Sequence, residues 1–419
     1  MRIAMLTNNY KPFIGGVPIS IERLAKGLRE LGHIVYIFAP TYENQVEEEN
    51  VIRYKVIKTK VGEGKIVVPN VFDSDIEKVF KTLEIDVIHV HHPMLMGNLA
   101  LHLKRKYGIP VVLTYHTRYE QYLHYIKPYK FLEDRMKIEQ NHVLEGIESK
   151  ILNCTKEKIL PHYIKSFADK CDLVISPTEL MKNYLENIGV SSAIEVMPTG
   201  LEKRYFQGND FVSDNIRKTY KGEKKYLFCT VSRLTKEKNI EFIFQGLKIL
   251  KESMGNCFNM IIIGEGPLKE ELEHKAITLG ISENIIFLNS ISNETIGDYY
   301  RACDMFLFGS KSETQGIVLL EAMAAQNPVV AVRATGVADI VEDGVNGYMT
   351  VENPSIWSNA IEKILKNEIL MKNLQKGAYE TAHRYLNFNI AKLAERNYGK
   401  VIRHHYKEGG ACAYKISMG

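Results

Sequence analysis

The sequence predicts an α/β protein with two domains, each built on a doubly wound parallel sheet. Strand-like and helical segments alternate along the whole chain, which is typical of parallel sheets covered by helices on both faces. The chain has 419 residues, more than one hydrophobic core usually holds. Hydrophobic residues make up 45% of it and charged residues 25%, the ordinary composition of a globular protein.

Both halves of the chain show the alternation. In the first half, strands are predicted near 2–7, 33–38, 51–57, 86–90, 110–115, 171–175 and 194–197. Helices are predicted there near 17–31, 74–83, 95–107, 130–150, 156–169 and 178–188. In the second half, strands are predicted near 226–231, 258–263, 285–289, 304–308 and 328–332. The helices of that half are predicted near 239–252, 267–278, 294–301, 317–326, 355–365, 368–384 and 388–404.

The domain boundary is predicted just after Pro198-Thr199-Gly200. The polar stretch from Glu202 to Lys225 is the best linker candidate, so the domains are expected at 1–200 and 201–387. The last residues, 408–419, contain Gly-Gly and little pattern, and they are predicted to form a disordered or loosely held tail.

Composition excludes several classes of protein. The net charge is only +4, so no general affinity for nucleic acid is expected. No apolar run approaches the ~20 residues that span a bilayer, and the first residues indicate a strand instead of a signal peptide. The six cysteines are scattered without C-x-x-C spacing, which indicates reduced thiols in a cytoplasmic protein and no zinc site.

Residues 312–322 carry the most informative pattern. A helix is predicted to begin at about Gly316, and the unpaired N–H groups of its first turn can bind an anion. Glu313 precedes this turn and Glu321 follows inside the helix, with seven residues between them in the E-x7-E pattern, so both can face one ligand. An anion site between two carboxylates suits a sugar nucleotide. The alternative is an acidic residue that merely stabilises a helix start.

Two cationic residues follow an earlier strand of the same half. Arg233 and Lys238 follow the strand 226–231, at the edge where open α/β sheets bind ligands. Fixed cations there can stabilise a departing nucleoside diphosphate. The strand near 258–263 ends in a second glycine turn, Gly264-Glu265-Gly266-Pro267.

Gly15 and Gly16 follow the first strand and precede a helix, where they allow the backbone to approach a ligand. A dinucleotide-binding oxidoreductase is the rival interpretation of this turn. It is disfavoured because G-x-G-x-x-G is absent and the strand 33–38 ends in Ala39-Pro40, with no acid to hold a ribose. A plain structural turn is the other alternative.

A buried strand, 110–115, delivers His116 to the ligand edge of the first sheet. His89, His91 and His92 follow a neighbouring strand. Neither their spacing nor nearby acids favour a metal site, so they are predicted to pack and to line the site, with no bound metal.

The segment from Arg118 to Lys130 is rich in tyrosine and in basic residues. Its aromatic and cationic members are Arg118, Tyr119, Tyr122, His124, Tyr125, Lys127, Tyr129 and Lys130. Between residues 101 and 170, thirteen Lys and Arg face eight acids, and this excess favours an anionic membrane surface. The alternative is a solvated helix beside a wet aromatic cluster.

These motifs together resemble a known family of enzymes. R-x4-K at 233–238, G-x-G-P at 264–267 and E-x7-E at 313–321 resemble the retaining GT-B glycosyltransferases of the "glycosyl transferases group 1" family. The segment 115–125, Y-H-T-x-Y-E-x-Y-x-H-Y, resembles the Gram-positive diacylglycerol glucosyltransferases, with Arg118 at the variable position.

The resemblance implies a GT-B fold, two Rossmann-like domains facing each other across a cleft, with a last helix at 388–407 that crosses back to the first domain. It implies that Arg233 and Lys238 hold the donor diphosphate, that the Gly15-Gly16 loop faces this diphosphate, and that Gly264 is a substrate-binding residue. The remaining roles it implies are sugar-hydroxyl contacts for Glu313, backbone N–H groups from Gln315, Gly316 and Ile317, a ribose contact for Glu321, and a place for His116 near the sugar C6 hydroxyl.

The implied reaction moves a hexose, with glucose expected, from a UDP-sugar to a diacylglycerol-type lipid at the inner face of the cell membrane. No cofactor is expected, because side chains supply the cations. Retention through a carboxylate nucleophile and through a front-face route both stay open. The rivals are a transferase for a soluble or polysaccharide acceptor, a sugar-nucleotide epimerase, and a non-catalytic partner subunit.

Overall fold

A computed structural model of the chain contains two compact units. It describes residues 1–13, 15–61, 66–116, 119, 155–311, 313–334 and 336–416. The first unit comprises Met1–Pro198 together with Ile390–Gly419, and the second comprises Thr199–Asn389. The chain therefore passes from one unit to the other beside Pro198-Thr199-Gly200, where the sequence predicts the boundary.

The first unit is built on a seven-stranded sheet in which all described strand pairs are parallel. Its strand order is β3-β2-β1-β6-β7-β8-β9, so the order reverses between β1 and β6. The strands are β1 Arg2–Leu6, β2 Ile34–Pro40, β3 Val51–Tyr54, β6 Val87–Val90, β7 Val111–Thr114, β8 Leu173–Ser176 and β9 Ile194–Val196. A separate antiparallel ribbon pairs β4 Val56–Val61 with β5 Ile66–Pro69.

Helices cover both faces of this sheet because alternate strand residues point to opposite sides. Along β1, Ala4 and Leu6 join one buried cluster, whereas Ile3 and Met5 join another. The helices are α1 Gly16–Glu30, α2 Ser74–Thr82, α3 Met96–Tyr107, α4 Leu160–Ala168, which follows a π-helical turn at Thr155–Ile159, and α5 Glu179–Asn187.

The second unit has the same plan with six parallel strands. The strand order is β12-β11-β10-β13-β14-β15, and it reverses between β10 and β13. The strands are β10 Tyr226–Val231, β11 Phe258–Ile263, β12 Ile285–Leu288, β13 Met305–Phe308, β14 Val329–Val332 and β15 Gly347–Thr350. The helices are α6 Asp210–Lys221, α7 Ile240–Met254, α8 Lys269–Thr278, α9 Ile296–Ala302, α10 Ile317–Ala324, α11 Pro354–Leu365 and α12 Glu368–Arg384.

The predicted linker is wrong, because most of it is helical. Residues 210–221 form α6, whose first turn is capped where the Asn209 side chain accepts from the Val212 N–H at 3.3 Å. Arg217 ties the helix to the sheet through an ion pair with Asp304 at 2.8 Å. Val212, Ile216 and Tyr220 recur at helical spacing, and Tyr220 packs against the core, but eight of the twelve residues are polar or charged, which favours a linker.

The C-terminal helix, α13 Asn387–Ile416, completes the first unit. The Tyr398 hydroxyl lies 2.7 Å from Nδ1 of His89 in the core, and the Glu395 carboxylate lies 2.9 Å from Nε2 of His33. The helix continues to Ile416, through most of the stretch that the sequence predicts as a loose tail. The helix predicted at 130–150 lies outside the described residues.

Candidate functional site

The second sheet places both motif segments at its switch point. β10 and β13 are neighbours at the reversal of strand order, so the turns that follow them lie side by side. The turn after β10 carries Arg233 and Lys238, and the turn after β13 carries Glu313. Residues that are 75 positions apart in sequence are thereby brought into contact.

Lys238 and Glu313 form an ion pair at this edge. The Lys238 ammonium donates to Oε1 of Glu313 at 2.5 Å, and the two side chains are 16% and 15% exposed. Lys238 ends a 3-10 turn, Lys236–Lys238, that leads directly into α7. A half-buried ammonium on a short, ordered turn is a fixed positive charge, which is what an incoming phosphate group would meet.

Arg233 occupies a different environment from Lys238. Its side chain is 61% exposed, and its guanidinium contacts the Glu237 carboxylate at 3.4 Å. Such an exposed pair contributes little to stability, so the guanidinium can turn to another anion at small cost. The two cations thus lie on one turn, but Lys238 is largely buried whereas Arg233 is exposed.

Gly264 supports the turn that carries Arg233. Its φ is +138°, and a Cβ there would lie 2.0 Å from the Ser232 carbonyl oxygen, so a side chain would clash with the backbone. The Leu234 N–H donates to the Glu265 carbonyl oxygen at 2.9 Å. The turn after β11 therefore packs directly against the turn after β10.

The start of α10 offers backbone N–H groups. Gly316 precedes the helix in the left-handed conformation, with φ 68° and ψ 51°. Within the described residues, no hydrogen bond is made by the backbone N–H groups of Gln315, Gly316 or Ile317. The Gln315 side chain is buried, and both of its polar atoms pair with the Thr199 backbone, at 2.7 Å and 3.2 Å. The backbone N–H of Gln315 can thus donate a hydrogen bond to a ligand, while its side chain holds the turn in place.

Glu321 lies inside α10 and is only 6% exposed. The Tyr300 hydroxyl from α9 donates to its Oε2 at 3.2 Å. Burial and the neighbouring Glu321 carboxylate raise the pKa of Tyr300 well above its ordinary value, so the hydroxyl stays a donor. Tyr300 orients a predicted ribose-binding carboxylate, and sequence reasoning missed it because nothing in the local pattern links it to a residue 21 positions away.

In the first unit, the glycine turn precedes α1. Gly15 has an extended backbone, and a Cβ on Gly16 would meet nothing within 4 Å. Neither position needs glycine for its backbone angles.

His116 belongs to a cluster of four histidines at the carboxyl edge of the first sheet. Its Nε2 lies 2.9 Å from Nδ1 of His91, and His89 and His92 are buried beside them. Burial lowers the pKa of His89 to about 3 and that of His92 to about 4. Burial, together with neighbouring histidines, also holds the pKa of His91 and of His116 well below the ordinary value of 6.5. The cluster is therefore neutral at physiological pH.

Most of the predicted membrane residues lie outside the described part of the chain, namely Arg118, Tyr122, Tyr125, Lys127 and Lys130. Tyr119 is described, and its ring packs on Tyr115 with centroids 5.9 Å apart, against the core of the first unit. Burial raises the pKa of its hydroxyl. Among the described residues, no group of three or more His, Cys, Asp or Glu is arranged to hold a metal ion.

Two doubly wound units, one with a cation and a carboxylate at its switch point, define the class as GT-B glycosyltransferases. Two family models match the chain, "Glycosyltransferase Family 4" at residues 14–204 and "Glycosyl transferases group 1" at residues 212–381. The Anabaena protein HepE, solved in complex with UDP, superimposes with a TM-score of 0.73 over 96% of this chain and 100% of its own, at 19% identity.

Curated relatives match nearly the whole chain. The alpha-monoglucosyldiacylglycerol synthase of Acholeplasma laidlawii is 30% identical over 420 residues, covering 97% of this chain and 99% of its own. The enzyme of the same name from Streptococcus pneumoniae is 26% identical over 415 residues, covering 97% of this chain and 85% of its own. The chain belongs to the group 1 glycosyltransferase family.

The neutral histidines predict a loss of stability in acid. The unfolded chain binds a proton at each histidine below pH 6.5, whereas folded His92 does not until about pH 4, so stability falls as pH drops through this window. Between pH 7.5 and 5.5 we expect about 1.3 kcal/mol per such histidine. His92→Asn should remove one such contribution while an amide oxygen still accepts from the Asn8 N–H.

Urea titrations followed by circular dichroism at the two pH values measure this difference. The only tryptophan, Trp357, lies in the second unit, so its fluorescence transition should be the same in both proteins and serves as the control. Equal pH dependence of the first-unit transition in wild type and His92→Asn would contradict the neutral state of His92.

Proposed function

We propose that this chain transfers glucose from UDP-glucose to a diacylglycerol-type membrane lipid, with retention of configuration. The observation that carries the proposal is full-length similarity to a synthase named for monoglucosyldiacylglycerol, at 30% identity over 97% of the chain. The tyrosine-rich segment at 115–125 also supports a lipid acceptor, because its sequence resembles that of diacylglycerol glucosyltransferases. No helix among the described residues is long and apolar enough to cross a membrane.

The donor is proposed to bind to the second unit. The diphosphate lies against the cations Lys238 and Arg233 and against the N–H groups at the start of α10, where the helix dipole also favours negative charge. Glu321 accepts from the ribose hydroxyls. HepE, which has this fold, was solved with UDP, so the fold accommodates this nucleotide.

The ion pair gives donor binding a specific consequence. Lys238 pairs with Glu313 in this structure. A diphosphate carries more charge than one carboxylate and competes for the same ammonium. When Lys238 turns to the diphosphate, Glu313 loses its partner and gains free oxygens for the sugar hydroxyls. Binding of the leaving group and orientation of the sugar are thus coupled through one exchange of partners.

The acceptor is proposed to reach the first unit from the inner face of the membrane. Lysines and arginines beside tyrosines favour an anionic bilayer surface, and a diacylglycerol cannot leave the bilayer cheaply. The protein therefore docks peripherally and receives the acceptor hydroxyl at the surface. No cofactor is proposed, since the side-chain cations supply the positive charge.

Loss of the Lys238 charge should reduce turnover strongly. An oriented charge in a dry site is worth about 3 kcal/mol, so Lys238→Ala should lower kcat roughly a hundredfold or more. Lys236→Ala is the matched control, because Lys236 lies on the same turn and is exposed. Steady-state kinetics with thermal melting test this. Near-normal activity of a normally folded Lys238→Ala variant would remove the ammonium from the mechanism.

The two carboxylates should give different defects. Glu321→Gln should mainly weaken UDP binding, since ribose contacts exist in both the ground state and the transition state. Glu313→Gln should lower kcat with the sugar nucleotide without weakening UDP binding, because the variant removes a carboxylate that competes with the diphosphate for Lys238. Calorimetric titration with UDP measures both. An equal loss of UDP affinity in the two variants would favour a purely structural Glu313.

Vesicle experiments test the acceptor. Binding to vesicles should rise with the fraction of anionic lipid and fall with salt. At about 1 kcal/mol per lysine, Lys127→Glu with Lys130→Glu should weaken partitioning roughly thirtyfold or more, with UDP binding unchanged. The control, Lys81→Glu with Lys372→Glu, makes the same change of net charge at exposed lysines elsewhere.

Wild-type protein that ignores anionic vesicles and glycosylates a water-soluble acceptor at full rate would contradict the lipid proposal. A transferase with a soluble acceptor would then take its place.

A further inference from the structure

The histidine cluster of the first unit holds His116 through one specific contact. His91 follows β6 and His116 follows β7, and these strands are parallel neighbours. Nδ1 of His91 and Nε2 of His116 are 2.9 Å apart, and the two ring planes differ by only 21° with centroids 5.2 Å apart, so the rings meet edge to edge. Because Nε2 of His116 is engaged by His91, only its Nδ1 remains to address a ligand.

The direction of this hydrogen bond follows from counting protons. Both rings are neutral, since burial and neighbouring histidines lower the pKa of each well below 6.5. Each ring therefore carries one proton, and one of the two lies in the bond. Either His91 donates from Nδ1, or His116 donates from Nε2.

The other nitrogen of His91 distinguishes the two arrangements. Its Nε2 is buried and has no hydrogen-bond partner among the described residues. If His116 donated, His91 would carry its proton on that nitrogen as an unpaired buried N–H, which is rarer in proteins than an unfilled acceptor. If His91 donates, only a lone pair is left without a partner. The second arrangement is favoured, and it leaves the proton of His116 on Nδ1.

His89 and Tyr398 keep His91 in place. The ring of His89 packs on that of His91 with centroids 4.2 Å apart. Both nitrogens of His89 are engaged, Nδ1 by the Tyr398 hydroxyl at 2.7 Å and Nε2 by Oγ1 of Thr114 at 2.6 Å. Tyr398 is fully buried and comes from α13. The C-terminal helix thus contacts His89, whose ring packs against that of His91.

We infer that His91 is a positioning residue that fixes His116 as a hydrogen-bond donor through Nδ1. The inference rests on the proposed function, because the hydroxyl that His116 would bind belongs to the sugar substrate of that reaction. A sugar hydroxyl oxygen would then accept from Nδ1–H. His116 has no basic nitrogen facing the ligand, so it orients the sugar and does not remove the proton of the acceptor.

Nitrogen NMR of the full-length chain tests the inference directly. With ¹⁵N-labelled histidine, long-range proton–nitrogen spectra distinguish protonated from bare ring nitrogens, and the His116 signals are assigned by their loss in His116→Asn. Wild type should show a protonated Nδ1 and a bare Nε2. His91→Asn keeps an amide donor and should preserve this state, whereas His91→Leu should lose it.

Kinetics supply the second readout. His91→Leu should lower kcat with UDP-glucose about tenfold, the equivalent of one neutral hydrogen bond, and leave the Kd for UDP unchanged because UDP lacks the sugar. His91→Asn should recover most of the rate.

A wild-type His116 that carries its proton on Nε2 would overturn the inference, as would an unchanged tautomer in His91→Leu. The NMR result does not depend on the acceptor. A missing lipid product would contradict the proposed function, while the tautomer would still decide the role of His91.

Discussion

The ion pair between Lys238 and Glu313 joins the two turns at the switch point of the second sheet. Both side chains are largely withdrawn from water, at 16% and 15% exposure. Desolvation offsets most of the attraction in such a pair, so its contribution to stability is a weak reason for its presence. Removing one partner, however, leaves an uncompensated charge that costs about 3–5 kcal/mol when fully buried. The pair fixes the position of the Lys238 ammonium at the switch point of the second sheet.

The ion pair depends in turn on several neighbouring contacts. Lys238 can be held beside Glu313 only if the turns after β10 and β13 keep their shapes. Gly264 lets the β11 turn pack under Ser232, and the Gln315 side chain anchors the start of α10 to the Thr199 backbone. These contacts leave backbone N–H groups and one ammonium facing the same edge.

The first unit carries uncharged groups at the carboxyl edge of its own sheet. Burial lowers the pKa of His91 and His116, which keeps the histidine cluster neutral. The second unit carries cations at its switch point, so the two sheet edges differ in charge.

Much of this fold was predictable from the sequence, because buried parallel strands such as Tyr226–Val231 and Phe258–Ile263 are continuous apolar runs. The helix Asp210–Lys221 was not, since its residues are mostly polar or charged and it is held in place by its cap and by Arg217. At the site, the motifs predicted which residues gather at the sheet edge. The contacts of Tyr300 and His91 were not predictable, because they depend on tertiary neighbours without local signal.

The most direct test of the account is analysis of the product. The chain is incubated with ¹³C-labelled UDP-glucose and vesicles of anionic phospholipid, with and without diacylglycerol, and the lipid fraction is examined by NMR. The account predicts an α-linked glucosyl diacylglycerol that forms only with diacylglycerol present, with one UDP released per glucose transferred. A β-linked product, or labelled glucose recovered only in water-soluble material, would contradict it.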